Sequence, residues 1–441
     1  MEYKVQTPCG MIRGTAGRVA GTAAYKGIRY ATAGRWAYPV QVTAWDGVYD
    51  ATQYGKCCYQ PRAFYDESKR GKAFYYHEFR EGEHYAYSED CLFLNVFVPD
   101  AVREGDDLPV IVYIHGGSFV GGCGHEKHFN GPVWPAKGVI GVTINYRLGP
   151  LGFACLPQLK EEAGTTGNYG LYDQVTAICW VRDNIRSFGG NPENITIMGQ
   201  SAGAMSVQQL CQSPLTDGLF QKAVLSSGGG QDEKFAPESM ESRFAFWQAV
   251  MKNAGCDTLD SFRALPVETL FEAWMKTGKE IPSGPPSPVC DGKLIIECKG
   301  KPRKAIPVMM GSTSEDMMPD LLHRMVIDWC AAQPVPAYAW YFDRQLPGDD
   351  EGAWHSSDLW YWFGTLENGW RPMEEKDYAL SDQMTDDLCS FARFSHPCHP
   401  QWKPCTQEKQ VLRMGEHPAA MEKMDMKKLT KAAQGSKATG E

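Results

Sequence analysis

The stretch ITIMGQSAGAMSVQQLCQ (residues 195–212) decides the fold, because it joins a strand, a sharp turn and a helix. ITIM is a short apolar run, which predicts a buried strand. SAGAMSVQQLCQ (201–212) opens a helix, so GQSAG (199–203) occupies the turn between the two elements. GQSAG is the only Gly-x-Ser-x-Gly in the chain, and this setting makes Ser201 a candidate nucleophile.

Each residue type in this turn has a physical reason. Gly199 and Gly203 lack a Cβ, so the strand and the helix can approach closely. Ser201 is thereby lifted to the carboxyl edge of the sheet. The N–H groups at the start of the helix face a developing negative charge there. The alternative is an ordinary strand-to-helix turn with an incidental serine.

The flanking sequence repeats this alternation of strand and helix. GLYDQVTAICWVRDNI (170–185) has apolar residues at helical spacing and stops before a Gly/Pro breaker. Short apolar runs suited to buried parallel strands occur at 92–98, 109–114, 139–145, 222–227, 305–310 and 337–342. The pattern predicts an α/β fold with a large, mostly parallel sheet flanked by helices.

A second motif, HGGSFVGG (115–122), directly follows the strand run PVIVYI. A glycine pair at this position lets backbone N–H groups point into a pocket without side chains in the way. Gly116 and Gly117 are therefore candidate oxyanion donors, and Ala202, the residue after the candidate nucleophile, is the third. Such donors stabilise a tetrahedral intermediate by about 2.7–4 kcal/mol each.

Five blocks of the chain, in this order, carry a resemblance to a known family: SEDCLFLNVFVP (88–99), HGGSFVGG (115–122), NYRLGPLGF (145–153), GNYGLYDQ (167–174) and WVRDNIRSFGGNPENITIMGQSAGA (180–204). The chain resembles the type B carboxylesterase (cholinesterase-like) family, bacterial-type carboxylesterases included. The resemblance implies the α/β-hydrolase fold and hydrolysis of carboxylic esters, sometimes amides, without a cofactor. Gln200 departs from it, since many relatives have Glu there, and the chain is shorter than typical members.

The resemblance also indicates the acid and the base. AIPVMMGSTSEDM (305–317) has the family's strand, glycine and following acid, and counting from Gly311 selects Asp316, where most relatives have Glu. Glu315 is the rival acid. GAWHSSDLWYWFG (352–364) resembles the family's histidine block and selects His355 as the base.

Other histidines fit this role less well. His323 lies seven residues past Asp316, too close for the usual loop, whereas His355 follows the acid by 39 residues. His396 and His399 lie in a Pro-rich segment with no third metal ligand near, and are expected at the surface. Two lesser alternatives to a general carboxylesterase stay open: an aromatic (feruloyl-type hydroxycinnamoyl) esterase or amidase of the same fold, and a non-catalytic binding protein.

Composition narrows the class of protein. Of 441 residues, 43% are hydrophobic and 22% charged, which excludes disorder for most of the chain. The net charge, 44 − 53 = −9, argues against nucleic-acid binding. Without an apolar run of about 18 residues or a visible signal peptide, we expect no membrane span and a cytoplasmic location, although a mature secreted form is not excluded. The partner expected is a small ester substrate, and the oligomeric state is not predicted.

The 15 cysteines include no CxxC with a matching second pair, so no metal site is expected. Cys58 and Cys91 align with a loop-closing disulfide of secreted relatives, and their pairing is left open. We predict one catalytic domain over 1–420, with a polar-aromatic surface loop at 59–87, a helical insertion at 231–300 and a polar flexible tail at 421–441.

Overall fold

One large sheet forms the centre of the structure. The computed structural model describes residues 3–69, 73–230, 235–282, 287–297, 303–406, 408–425 and 427. Within them the sheet has eleven strands: β1 (Thr15–Ala16), β2 (Thr22–Arg29), β3 (Phe93–Pro99), β4 (Leu108–Ile114), β5 (Ile140–Ile144), β6 (Gly190–Gln200), β7 (Lys222–Ser226), β8 (Val308–Thr313), β9 (Ala337–Phe342), β10 (Gln410–Met414) and β11 (Ala420–Lys423).

The order across the sheet is β11-β10-β9-β8-β7-β6-β4-β5-β3-β2-β1. All neighbours from β10 to β5 run parallel, while the outer pairs at both ends are antiparallel. The carboxyl ends of β4, β6, β8 and β9 therefore meet at one edge, which is where open α/β sheets place their ligand sites.

Eleven α-helices lie in the described part of the chain: α1 (Ala73–Phe79), α2 (Gly149–Phe153), α3 (Pro157–Ala163), α4 (Tyr169–Asn184), α5 (Ala202–Gln212), α6 (Met240–Asn253), α7 (Leu259–Arg263), α8 (Val267–Glu280), α9 (Pro319–Ala331), α10 (Leu359–Phe363) and α11 (Glu375–Phe394). No helix among the described residues is both long enough and apolar enough to cross a bilayer.

The strands are apolar on both faces because helices cover both faces. Along β4, Val110, Val112 and Ile114 belong to the core cluster that contains α4 and α5. The intervening Ile111 and Tyr113 belong to a second cluster that contains α10 and α11. Side chains alternate along a strand, so a two-sided core requires a continuous apolar run.

Short strands and turns complete the described elements. The strands are Lys4–Thr7, Gly10–Arg13 and Val48–Asp50 in one small sheet, and the pairs Ala31–Thr32 with Val40–Gln41, Cys57–Cys58 with Tyr87–Ser88, and Glu238–Ser239 with Val289–Cys290. The 3₁₀ turns are Pro61–Ala63, Glu67–Lys69, Lys127–Phe129, Trp134–Lys137, Ile185–Phe188, Pro214–Thr216 and Leu366–Asn368.

The prediction of a surface loop at 59–87 is wrong over residues 73–79. Residues 73–79 form α1, and Glu78, Phe79 and Arg80 are buried. The charges are buried because they are paired: Arg371 Nη2 donates to Glu78 at 2.7 Å, and Arg80 Nε donates to Glu67 at 2.9 Å. Residues 70–72 of the predicted loop lie outside the described part.

The predicted tail is also corrected where it begins. Residues 421–423 pair with β10 as part of β11, because β10 would otherwise be an open sheet edge. Residues 426 and 428–441 lie outside the described part. Within 231–300, α6, α7 and α8 are described, whereas 231–234, 283–286 and 298–300 are not. Cys58 and Cys91 are free, buried thiols in this structure. The single-domain assignment stays a prediction.

Candidate active site

Ser201 lies on the strained turn that joins β6 to α5. Its backbone has φ 56° and ψ −124°, and its N–H donates to the Ser226 carbonyl of β7 at 2.9 Å. Positive φ at a residue with a side chain is uncommon and costs energy, so the surrounding structure must hold it.

Close backbone contacts require glycine at both ends of this turn. A Cβ on Gly203 would lie 2.0 Å from the Ile114 carbonyl oxygen at the end of β4. A Cβ on Gly199 would lie 2.3 Å from the Gly203 carbonyl oxygen. Both distances are far below van der Waals contact, so larger residues would push α5 away from the sheet. The predicted close approach of helix and strand is confirmed.

The glycine loop after β4 passes directly in front of Ser201. A Cβ on Gly116 would lie 3.0 Å from Ser201 Cβ, and Gly117 has φ 108°, which favours glycine. The Gly117 carbonyl accepts the N–H groups of Val120 at 3.0 Å and Gly121 at 3.1 Å, which closes the loop. Ala202 is the first residue of α5, where N–H groups have no partner within the helix. Gly116 and Gly117 line one cavity beside Ser201, and Ala202 lines another.

Asp316 and His355 meet from two separate loops. Asp316 follows β8, His355 precedes α10, and Asp316 Oδ1 is 2.5 Å from His355 Nδ1. The carboxylate also accepts the N–H of Met317 at 2.8 Å and that of Thr313 at 3.2 Å. Burial raises the pKa of Asp316, but the charge of His355 and hydrogen bonds that include those of His355 and the Thr313 N–H outweigh burial and lower the pKa. Glu315 is exposed, so the structure brings Asp316 and not Glu315 to the histidine.

The rival histidines lie elsewhere. His323, in α9, is buried with Nδ1 3.4 Å from Ser312 Oγ, and burial lowers its pKa to about 4. His396 and His399 lie beyond the end of α11, and the His399 N–H donates to Asp387 at 2.6 Å.

Gln200 contacts the other nitrogen of His355. Its Nε2 lies 3.1 Å from His355 Nε2, and its side chain is buried. When Nδ1–H of the imidazole is donated to Asp316, Nε2 carries a lone pair and the Gln200 amide donates to it. The sequence marked Gln200 as a departure from the family but gave no sign of this contact.

A second buried carboxyl group, Asp358, lies near this pair and was missed. Its Oδ2 accepts from Ser226 Oγ at 2.7 Å and from Trp362 Nε1 at 3.1 Å. Its Oδ1 is buried with no hydrogen-bond partner in the described part of the chain. Burial, helped by the charge of Asp316, raises its pKa to about 6. Its position three residues after His355 was the only sequence signal for it.

Two cavities meet at Ser201. The larger, of about 390 Å³, is lined mainly by apolar side chains such as Phe119, Met205 and Leu322, with Glu238 and Arg243 also on its wall. The smaller, of about 160 Å³, has a charged floor and also contains His355. The floor consists of Arg62, Arg80 and Glu126. The two cavities beside Ser201 therefore differ in character, since one is mainly apolar and the other carries charged side chains.

Known proteins resemble this chain in sequence. A model described as the carboxylesterase family matches residues 2–328 and 316–433. The chain is 35% identical over 333 residues to para-nitrobenzyl esterase of Bacillus subtilis (strain 168), which is 71% of this chain and 62% of that protein. It is 33% identical over 337 residues to fumonisin B1 esterase of Sphingopyxis macrogoltabida, which is 73% of this chain and 56% of that protein. The matched part thus spans less than two thirds of either relative.

Solved structures agree in fold. A PNB esterase superposes with a TM-score of 0.84 at 27% identity, covering 98% of this chain and 99% of that chain. An esterase from Clostridium hathewayi, described as able to hydrolyze aliphatic aromatic polyesters, gives 0.83 at 27% identity, with 98% of both chains covered. The predicted α/β-hydrolase fold is confirmed, and the chain belongs to the carboxylesterase family.

Proposed function

We propose that this protein is a serine carboxylic ester hydrolase with Ser201 as nucleophile, His355 as general base and Asp316 as the acid. The observation that carries the proposal is the buried contact of Asp316 with His355 beside the strained turn of Ser201. A carboxylate on Nδ1 fixes the tautomer that leaves Nε2 free to take a proton. Family membership supports the same chemistry.

In the proposed reaction, His355 takes the proton of Ser201 Oγ as the oxygen attacks the ester carbonyl carbon. The imidazolium then returns this proton to the leaving alkoxide, and an acyl-enzyme remains. Water, deprotonated by His355 in turn, hydrolyses the acyl group and restores Ser201. Asp316 stabilises the imidazolium in both steps without being protonated itself.

Gly116, Gly117 and Ala202 supply the oxyanion donors in this proposal. The support is geometric, since the glycine loop and the first residue of α5 both border Ser201. His355 Nε2 faces the Gln200 amide at 3.1 Å, so the proposal requires His355 to exchange this partner for Ser201 Oγ when substrate binds. Catalytic hydrogen bonds are often loose before substrate arrives.

The unlike cavities favour an ester with one bulky apolar group. The cavity of about 390 Å³ accepts that group, and the cavity of about 160 Å³ accepts a smaller one. Trp360, Trp362 and their neighbours in α10 are fully buried in the core, so they do not support an aromatic substrate. Tyr75 and Phe79 do line the smaller cavity, so a hydroxycinnamoyl ester belongs in the substrate panel.

The test is Ser201→Ala assayed on p-nitrophenyl esters of short and long acyl chains and on a feruloyl ester. We expect kcat to fall by at least about 1,000-fold on every ester that the wild type cleaves. Ser261→Ala, an exposed serine in α7, is the matched control and should keep full activity. Residual activity within tenfold of wild type, or a wild type that binds but never cleaves these esters, would overturn the proposal.

A further inference from the structure

Two thiols and an imidazole meet behind the glycine loop, outside the proposed triad. Cys57 Sγ, Cys123 Sγ and a ring nitrogen of His125 all lie within 4.8 Å of one another. Cys57 Sγ is 3.7 Å from His125 Nε2. Both cysteines are almost completely buried, and His125 is partly exposed. The sequence suggested no metal site because Cys57 and Cys123 are far apart along the chain and form no CxxC.

The spacing suits a tetrahedral metal centre. With metal–sulfur bonds of about 2.3 Å and metal–nitrogen bonds of about 2.0–2.1 Å, tetrahedral ligand atoms lie about 3.5–3.8 Å apart. The distance of 3.7 Å between Cys57 Sγ and His125 Nε2 falls in that range, and no two of the three ligand atoms are more than 4.8 Å apart. Small side-chain rotations therefore complete the geometry.

The donor set of the cluster fits a thiophilic cation. Its two sulfur atoms and one imidazole nitrogen are the ligand types that Zn²⁺ takes in tetrahedral sites. Three protein ligands leave a fourth position for another group.

The surroundings fix the ligands and leave an unmatched polar group beside them. The Tyr54 ring stacks on His125 at 4.5 Å with an interplanar angle of 4°, which holds the imidazole plane. The Tyr85 ring lies 5.5 Å from His125, and its buried hydroxyl finds no hydrogen-bond partner among the described residues. Glu126 is already held by Arg62 Nη1 at 2.6 Å. An orphaned buried hydroxyl on a ring that packs against His125 is the second sign that a ligand belongs here.

We propose that Cys57, Cys123 and His125 bind one thiophilic divalent cation, with Zn²⁺ the best match to two sulfur ligands and one nitrogen ligand. Tyr85 or a water supplies the fourth position. Gln60, two residues beyond Cys58, exchanges two hydrogen bonds with Gly122, at 2.9 and 3.1 Å. The ion therefore fastens the segment at Cys57 to the end of the glycine loop at Cys123, a structural role at a distance from the reacting atoms.

The first experiment uses the unaltered full chain. The protein is reduced, stripped with a chelator, dialysed, and titrated with Zn²⁺ or Co²⁺. We expect one ion per chain, with a sulfur-to-cobalt charge-transfer band and the intense visible bands of tetrahedral Co²⁺. Zn²⁺ should slow iodoacetamide labelling of Cys57 and Cys123 at least about tenfold, because metal-bound thiolates are protected. Cys179, a half-buried thiol of α4, is the internal control and should be labelled equally in both states.

Variants then locate the ion. Cys57→Ser, Cys123→Ser and His125→Ala should each lose at least about 100-fold in affinity for Zn²⁺, while Cys179→Ser should bind as the wild type does. The proposal is overturned if the reduced wild type retains no ion after dialysis, or if binding survives in Cys57→Ser. It is also overturned if Zn²⁺ leaves the labelling of Cys57 and Cys123 unchanged. The labelling experiment uses the wild-type chain, so its result does not depend on whether the variants fold.

Discussion

Two buried carboxyl groups near His355 occupy opposite electrostatic settings. Asp316, in the loop after β8, has His355 and two backbone N–H groups as partners, and its pKa is lowered. Asp358, at the start of α10, has two neutral donors on one oxygen and, among the described residues, none on the other, and burial raises its pKa to about 6. Both are buried, so burial alone does not decide the charge of a carboxyl group here.

The difference supports Asp316 as the carboxyl group that serves the proposed base, His355. Asp316 stays ionised at neutral pH because an adjacent imidazole and oriented N–H groups replace the lost water. Asp358 is close to the charge of Asp316, and two like charges in one region cannot both ionise cheaply. Asp316 therefore carries the negative charge of the pair, and Asp358 keeps its proton to a higher pH.

The largest effect is expected from Asp316→Asn. The amide cannot stabilise an imidazolium and favours the wrong tautomer, so if the proposed triad is correct kcat should fall about 10,000-fold, as it does in a known Ser-His-Asp enzyme. The measurement is kcat on a p-nitrophenyl ester. Glu315→Gln, at the exposed neighbour, is the matched control and should retain full activity. Loss of kcat in Glu315→Gln with full activity in Asp316→Asn would instead identify Glu315 as the acid.

Asp358→Asn should change stability and its pH dependence. The pKa of Asp358 is about 6 in the folded protein, which is above its value in the unfolded chain. Protonated Asp358 therefore stabilises the fold fully below about pH 4, and this stabilisation is lost as the pH rises through about 6. Over this range the free energy of unfolding of the wild type should fall by about 3 kcal/mol relative to that of the variant. Urea unfolding at pH 4 and pH 8 measures this. Equal pH dependence in both proteins would contradict the raised pKa.

Gln200→Glu adds a third carboxyl group, the one that many relatives carry. Gln200 Nε2 lies 3.1 Å from His355 Nε2, so a carboxylate there should stabilise the imidazolium, which cannot act as a general base. The acid limb of the kcat/KM profile should move to higher pH, with about a tenfold loss at pH 6. Gln401→Glu, an exposed position, should leave the profile in place. An acid limb at the same pH in both proteins would show that a negative charge at position 200 does not affect the pH dependence.

Ser226→Ala should have the smallest effect. It removes one donor to Asp358, which costs about 1 kcal/mol when the carboxyl group is neutral and about 2 kcal/mol when it is charged. The loss in unfolding free energy should therefore be larger at pH 8 than at pH 5. Ser381→Ala removes a bond to the Tyr361 carbonyl at 3.0 Å and should cost the same at both values. A pH-independent loss in Ser226→Ala would argue that Asp358 does not titrate in this range.

The nucleophile side of the site could be predicted because its geometry is local. The turn at Ser201 needs glycine within two residues on either side, since a Cβ would collide with the adjacent backbone. The segment Ala337–Phe342 is a strand with the same bounds in sequence and structure. Both follow from short-range sterics and from burial on two faces, which a single stretch of sequence records.

The side of the site that carries Asp316 and His355 could be predicted only with help from the family. Asp316 and Glu315 are adjacent, and only the path of the loop after β8 decides which of them points at His355. The burial of Arg80 and Glu78 was not foreseen either, because charged residues between aromatics look like a solvated loop until their partners, Glu67 and Arg371, are brought to them.

By itself the sequence determined the α/β alternation, the turn at Ser201 and the glycine loop, and the resemblance to the family selected His355 as the candidate base. The tertiary structure decided which acid reaches that base, which carboxyl group keeps its proton, and that Cys57 meets Cys123 and His125. The division has a physical reason. Backbone sterics and side-chain periodicity act over a few neighbouring residues, whereas pKa values and ligand clusters depend on groups that only packing brings within a few ångströms.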